Sequence, residues 1–274
     1  MFKVNEERCI GCYQCVNDCP VRDILMKDNK KAYIRNETCI KCGHCIAICP
    51  VEAVSTDTYD MEDVKPYEKE SFNIEPEVLM NFIKFRRSVR RYKEKPVEKE
   101  LIEKVIEAGR FTQTSTNSQD VSYVVLQKEL PAFKDTVMEV LYQKSQAILK
   151  NMTDETMHLK RYALLWELMY KGYQIDKVKN DGLFYNAPVA VLICSNAAVN
   201  ASLAASNMSL MVHALGLGGY MNGFVIHALS DQPELLAKFG VPEGKQLNCC
   251  LVFGHPSVTY KRTVPRKEAS IEWR

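Results

Sequence analysis

The stretch that decides the reading is Cys9-Ile-Gly-Cys12-Tyr-Gln-Cys15-Val-Asn-Asp-Cys19-Pro20-Val21. It returns as Cys39-Ile-Lys-Cys42-Gly-His-Cys45-Ile-Ala-Ile-Cys49-Pro50-Val51, every Cys having a counterpart 30 residues later. A repeat of this kind implies two similar halves related by a pseudo-twofold. Of the 11 Cys in the chain, eight precede residue 50 and three, Cys194, Cys249 and Cys250, follow it. A secreted disulfide framework spreads its bridges through a small domain and comes with an export signal. Neither feature is present, since Glu6 and Glu7 stand where a signal peptide needs an apolar core.

At 274 residues the chain is long for one domain, and a boundary is expected from length alone. Hydrophobic residues at 46% and charged ones at 26% are ordinary for a globular protein. The formal net charge of +2 argues against a nucleic-acid or anionic-membrane surface. The most apolar region, 201–229, is interrupted by Asn207, His213, Asn222 and four Gly, so no membrane span is expected. A cytoplasmic location is the expectation.

The run C-x2-C-x2-C-x3-C-P resembles the bacterial two-[4Fe-4S] ferredoxins over residues 1–58. In such proteins the fourth Cys ligates the other cluster. The resemblance therefore implies two [4Fe-4S] clusters, one held by Cys9, Cys12, Cys15 and Cys49, the other by Cys39, Cys42, Cys45 and Cys19. Closely spaced thiolates can wrap three irons of a cube while the Pro turns the chain away. Zinc sites of four thiolates favour two separated C-x2-4-C pairs instead of triplets.

Residues 59–76 are acidic, contain Pro and show no period, so they read as a linker. Beyond it, residues 77–87 place Val78, Leu79, Phe82 and Ile83 on one helical face. Pro96 opens a second helix with Leu101, Ile102, Val105 and Ile106 inward. Strands are expected at 121–126, 189–194 and 247–253, two long helices within 131–173, a small-residue helix at 201–215, then a Gly-rich turn and a short helix at 233–239. The mixture is α+β.

Four segments carry chemistry. They are Arg86-Arg87-Ser88-Val89-Arg90-Arg91-Tyr92, Ser115-Thr116-Asn117-Ser118-Gln119, Gly216-Leu217-Gly218-Gly219-Tyr220-Met221-Asn222-Gly223-Phe224, and Tyr260-Lys261-Arg262-Thr263-Val264-Pro265-Arg266-Lys267. In this order they resemble the FMN-dependent nitroreductase family from about residue 78 to 267. The resemblance implies a small ferredoxin-like domain (1–58) followed by a nitroreductase-like α+β sandwich (77–274). It implies a homodimer with FMN at the subunit interface and a C-terminal segment that embraces the partner. By the same resemblance Arg86 and Ser88, with neighbouring Arg87 and with Arg262 or Arg266 from the tail, hold the FMN phosphate or ribityl chain. Guanidinium forks suit a dianionic phosphate. Arg90 is placed near flavin N1 and O2, where negative charge gathers on reduction. Asn117 is placed on the pyrimidine edge, and Gly223 N–H with Asn222 near N5 and O4. The chain departs from the family where Asp120-Val121 replaces the frequent Pro-Trp after the Gln, and where Asn222 replaces a frequent acidic residue.

The expected function is an oxidoreductase that links one-electron clusters to a two-electron flavin. An external ferredoxin or other one-electron donor would reduce it, and a nitroaromatic, quinone, activated alkene or organohalide would accept the electrons. No side chain is expected to act as a catalytic acid or base. His213 and His227, on apolar stretches, read as core histidines. The alternatives are the reverse path, in which FMN oxidises a substrate or NAD(P)H and ferredoxin takes the electrons, and a redox sensor or carrier subunit without turnover.

Overall fold

The computed structural model describes all 274 residues and divides the chain into two compact units. The first comprises Met1–Glu75 together with Thr114–Ser118; the second comprises Pro76–Gln113 and Gln119–Arg274. Residues 59–75, read above as linker, thus group with the first unit, as does a short loop from far along the chain.

The first unit is built twice over. Its elements are β1 (Phe2–Val4), α1 (Gln14–Asp18), β2 (Ile24–Met26), β3 (Ala32–Ile34), α2 (His44–Ala47) and β4 (Val54–Thr56). β1 pairs with β4 and β2 with β3, both antiparallel. The pseudo-twofold is visible in the backbone itself. Left-handed φ values recur at the 30-residue offset in Gly11 (71°) and Lys41 (57°), Tyr13 (64°) and Gly43 (75°), and Arg22 (52°) and Glu52 (48°). At Gly11 the conformation alone does not explain the residue, since Lys41 adopts it too. A Cβ on Gly11 would meet the Lys30 carbonyl oxygen at 2.5 Å. A small core of Phe2, Ile24, Ala32, Ala53 and Val54 packs against the Cys side chains. Two further short elements close this unit, a 3-10 turn at Met61–Asp63 and α3 (Lys69–Phe72).

The second unit runs α4 (Pro76–Phe85), α5 (Lys99–Arg110), β5 (Ser122–Leu126), α6 (Leu130–Lys150), α7 (Lys160–Ile175), β6 (Val189–Ser195), α8 (Ala198–Ala214), β7 (Gly218–Met221), α9 (Gly223–Leu229), α10 (Pro233–Lys238) and β8 (Gln246–Gly254). Its sheet has the order β5-β6-β8-β7, every neighbour antiparallel. All seven residues of β6 are buried. That explains its unbroken apolar run, because a strand covered on both faces cannot alternate with polar residues. On one face Val189, Val191 and Ile193 meet α5 and α8 through Val105, Ala205 and Met208. On the other, Ala190, Leu192 and Cys194 meet Phe133, Val137 and Trp166. Cys194 and Cys250 are buried free thiols, and burial pushes Cys194 up to about 11. One difference from the sequence reading stands out: the Gly-rich turn is confined to residues 215–216 and runs on into an edge strand and a helix start. Val78, Leu79 and Ile83 of α4 share a helical face, and that face is exposed. An apolar helical period states that a face needs cover, not that this copy of the chain supplies it.

Asp120, where the chain departs from the family pattern, ties the start of β5 to the end of β6. Its carboxylate accepts from Ser195 Oγ, from Asn196 N at 3.1 Å and from Asn200 Nδ2 at 2.7 Å. The Arg-rich segment is joined to the sheet edge by backbone: Ser88 bridges Gly219 in parallel and Val89 N donates to Gly219 O at 3.1 Å. This approach requires Gly218, since a Cβ there would lie 2.6 Å from Val89 Cγ2, whereas a Cβ on Gly223 would meet nothing within 4 Å. Gly218→Ala is therefore expected to cost about 1–3 kcal/mol through overpacking and Gly223→Ala to be nearly neutral, as read by chemical denaturation of the two variants side by side.

Candidate functional sites in the two units

In the first unit the eight thiols sort into two nooks. Cys9, Cys12, Cys15 and Cys49 line a cavity of about 360 Å³ whose other walls include Val4, Met26 and Val54. Cys19, Cys39, Cys42 and Cys45 line a second cavity of about 340 Å³, with Phe2, Ile24 and Ile34 among its walls. Each nook therefore draws three thiols from one repeat and the fourth from the other. Backbone N–H groups point at the sulfurs: Asp23 N to Cys19 Sγ at 3.3 Å, Ala53 N to Cys49 Sγ at 3.2 Å, and Lys41 N to Cys39 Sγ at 3.4 Å. The first two are pseudo-twofold counterparts.

The electrostatics of such a nook demand cations. Burial pushes the Cys45 thiol up to about 12, and neighbouring Cys42, Cys39 and Cys15 add to the penalty. Burial likewise raises Cys15, with Cys49, Cys12 and Cys9 contributing. A bound metal would offset that penalty at Cys15 and Cys45, since thiolates are the ligating form. No three His, Cys, Asp or Glu donors converge on a point that one metal ion could occupy. The thiols ring a space instead, which fits a polynuclear cube better than a single tetrahedral zinc with bonds of about 2.3 Å.

In the second unit Arg86 and Arg87 line a cavity of about 850 Å³ together with Ser209, His213, the Gly-rich stretch 216–219 and Tyr260. Arg86 donates from Nη1 to Ser209 Oγ at 2.8 Å, and Arg87 from Nη2 to Lys84 O at 2.8 Å. The Nε atoms of both are buried without a partner. Two guanidinium groups with unspent donors, facing a glycine-rich turn, form a cradle for an anionic group. His213 stacks near Phe82 with ring centroids 4.7 Å apart. It lines this cavity and is not a core residue, and burial, then the Arg86 charge, lowers its pKa. This is a residue whose position sequence reasoning missed: its spacing one turn beyond Ser209 was the available signal.

The remaining candidates are dispersed. Ser88 is exposed, and its carbonyl accepts from Tyr260 Oη at 3.5 Å. The Arg90 guanidinium lies 5.2 Å from the Tyr220 ring and 6.0 Å from that of Tyr185. Asn222 is buried and structural in its contacts: Oδ1 accepts from Phe224 N, and Nδ2 donates to Leu183 O at 2.9 Å. It caps α9 and leaves the Gly223 backbone at the exposed start of that helix. Arg262 and Arg266 are exposed in a tail without regular structure. Asn117 belongs to the first unit, where its Nδ2 donates to Ile40 O at 3.0 Å and Lys41 O at 2.9 Å.

Residues 83–255 match the Nitroreductase family and residues 1–50 a 4Fe-4S dicluster domain. A curated protein of Methanothermobacter thermautotrophicus, provisionally named NADH dehydrogenase/NAD(P)H nitroreductase, is 22% identical over 189 residues, covering 65% of this chain and 78% of that one. Among solved structures, a nitroreductase with bound FMN from Desulfitobacterium hafniense DCB-2 aligns with a TM-score of 0.51 at 22% identity, over 70% of this chain and 97% of its own. A BluB-like flavoprotein from Clostridium difficile 630 aligns with a TM-score of 0.52 at 24% identity, over 70% and 94%. At these identities the structures speak to fold, and the family match, which spans more than half of the chain, speaks to kinship. The chain is an oxidoreductase belonging to the Nitroreductase family, with a ferredoxin-type 4Fe-4S domain at its N-terminal end.

Proposed function

We propose that the chain holds two [4Fe-4S] clusters and FMN and passes electrons between them to reduce a small electrophilic acceptor: a nitroaromatic, quinone, activated alkene or organohalide. The observation that carries the cluster half is the sorting of eight thiols into two nooks of four, each drawing its fourth thiol from the opposite repeat. The flavin half rests on the paired guanidinium groups with buried, unpartnered Nε atoms beside a glycine-rich turn, together with the FMN named for the Desulfitobacterium structure.

In this reading Cys9, Cys12, Cys15 and Cys49 ligate one cluster and Cys19, Cys39, Cys42 and Cys45 the other. Arg86 and Arg87 take the FMN phosphate, with Ser88, Arg262 and Arg266 joining them. Ser209 orients Arg86 through the 2.8 Å bond, so the fork is aimed before the anion arrives. Arg90 supplies positive charge near the ring, and the Gly223 N–H, freed at a helix start by the Asn222 cap, supplies a donor. FMN, when bound, collects two electrons and releases them as hydride or singly, which makes the chain a converter between one- and two-electron chemistry. The protein provides binding, charge and exclusion of water; no side chain is assigned as acid or base. A second copy of the chain would cover Val78, Leu79 and Ile83 of α4 and receive the tail with its exposed Ile271 and Trp273, so a homodimer is part of the proposal. A cytoplasmic setting suits eight free thiols that must stay reduced for cluster assembly.

A second reading has a specific support, the name of the Methanothermobacter relative. There NAD(P)H is the donor and ferredoxin receives the electrons. Anaerobic assays offering reduced ferredoxin and NAD(P)H separately as sole donor decide between the two; ferredoxin is expected to sustain acceptor reduction.

Purified without oxygen, the protein is expected to show iron and sulfide for two cubes and one FMN per chain. Arg86→Ala is expected to remove about 1.5–3 kcal/mol of charge-assisted bonding. That is a loss of roughly 10- to 150-fold in FMN affinity, read by flavin fluorescence, with iron content unchanged. Full flavin affinity in that variant would defeat the site assignment.

A further inference from the structure

The two cluster nooks are alike in ligands but unlike in what holds their ligand loops. In the first repeat the carbonyl of Cys9 accepts a bond from Lys31 Nζ, a side chain of the ferredoxin segment itself. In the second repeat the corresponding loop is held by a residue from outside that segment. Asn117 donates its side-chain amide to Ile40 O and Lys41 O, the two carbonyls between ligands Cys39 and Cys42. The loop it grips is the one whose Lys41 N–H points at Cys39 Sγ. Lys41 also occupies a left-handed conformation, φ 57°, where its repeat counterpart is Gly11. A non-Gly residue in that region is strained and persists where its surroundings enforce it. Asn117 is itself left-handed, φ 54°, a conformation Asn tolerates better than most residues.

The geometry points to Asn117 as a positioning residue for the second [4Fe-4S] cluster: it fixes the Ile40–Lys41 peptides so that the Lys41 N–H bears on the Cys39 thiolate, and thereby raises that cluster's reduction potential. The inference rests on the two-cluster reading proposed above. A reduced cluster carries more negative charge on its sulfurs, so N–H groups aimed at them favour reduction. The amide of Asn117 presents its positive end to the same loop and acts in the same direction. Asn117 stands between α5 and β5 in the sequence, yet it belongs to the first unit, so its grip on the ligand loop lies within that unit.

The test uses the full-length protein purified anaerobically, with iron, sulfide and FMN counted first, then potentiometric titration followed by electron paramagnetic resonance. Asn117→Gly keeps access to the left-handed backbone and deletes the amide; Asn117→Asp keeps the shape and replaces donors by an acceptor facing two carbonyls. Both are expected to lower the potential of one cluster and alter its spectrum, leaving the other cluster and the FMN content as they were. A threefold fall in that cluster's reduced-to-oxidised ratio at fixed potential corresponds to about 28 mV, at 59 mV per tenfold for one electron. Lys31→Met, the counterpart at the first repeat, is expected to move the other signal. Unchanged potentials in both Asn117 variants, loss of FMN with the clusters untouched, or both clusters moving together would overturn the inference. A wild-type protein short of eight irons would instead overturn the two-cluster reading beneath it.

Discussion

Thiolate crowding is the constraint on which the N-terminal unit depends. Its elements are three to five residues long, far below the length at which a helix or hairpin holds in water. Its core is a handful of apolar side chains packed on sulfur. Apolar burial of that extent is small beside the ordering entropy of more than fifty residues. The same burial makes the Cys15 and Cys45 thiols reluctant to ionise, so metal that takes thiolates there would supply both charge compensation and the cross-links the short elements lack. Folding and cofactor assembly are then one process in this unit, and the pseudo-twofold expresses it: each nook is closed by a thiol from the opposite repeat.

The second unit answers to ordinary packing. β6 is buried on both faces, and α5, α6, α7, α8 and α9 share its two sides. Rigidity there is what allows an edge to be open. β7 begins where the Arg-rich segment comes in along Gly219, and the cavity at that edge is lined by groups held from below: Arg86 by Ser209, the turn by Gly218 against Val89. An anion bound there meets donors already aimed, so little ordering remains to be done on binding.

How much of this the sequence disclosed depended on the period of each signal. The triplet spacing of the Cys, the unbroken apolar run of β6 and the amphipathic pattern of α5 each stand in a few consecutive residues, and each was legible. The strand at Gly218–Met221 was not, because two Gly remove the side-chain alternation by which a strand is read, and its place is set by pairing with β8. The apolar face of α4 was legible as a stripe, but periodicity does not say what covers it. His213 was read as core since its neighbours are apolar, yet the cavity beside it is made by Arg86, some 127 positions away in the sequence.

Asp120 and Asn117, three residues apart, each grip backbone or side chains far away in the sequence. Where relatives often carry Pro-Trp, this chain has an acid whose carboxylate gathers Ser195, Asn196 and Asn200 and pins the start of β5. The preceding segment is left-handed at Thr116, Asn117 and Gln119. Its Asn amide then meets backbone carbonyls between two cysteines. The anchor at Asp120 and the hook at Asn117 act on different elements, the first on the ends of β5 and β6, the second on the ligand loop of the second Cys repeat.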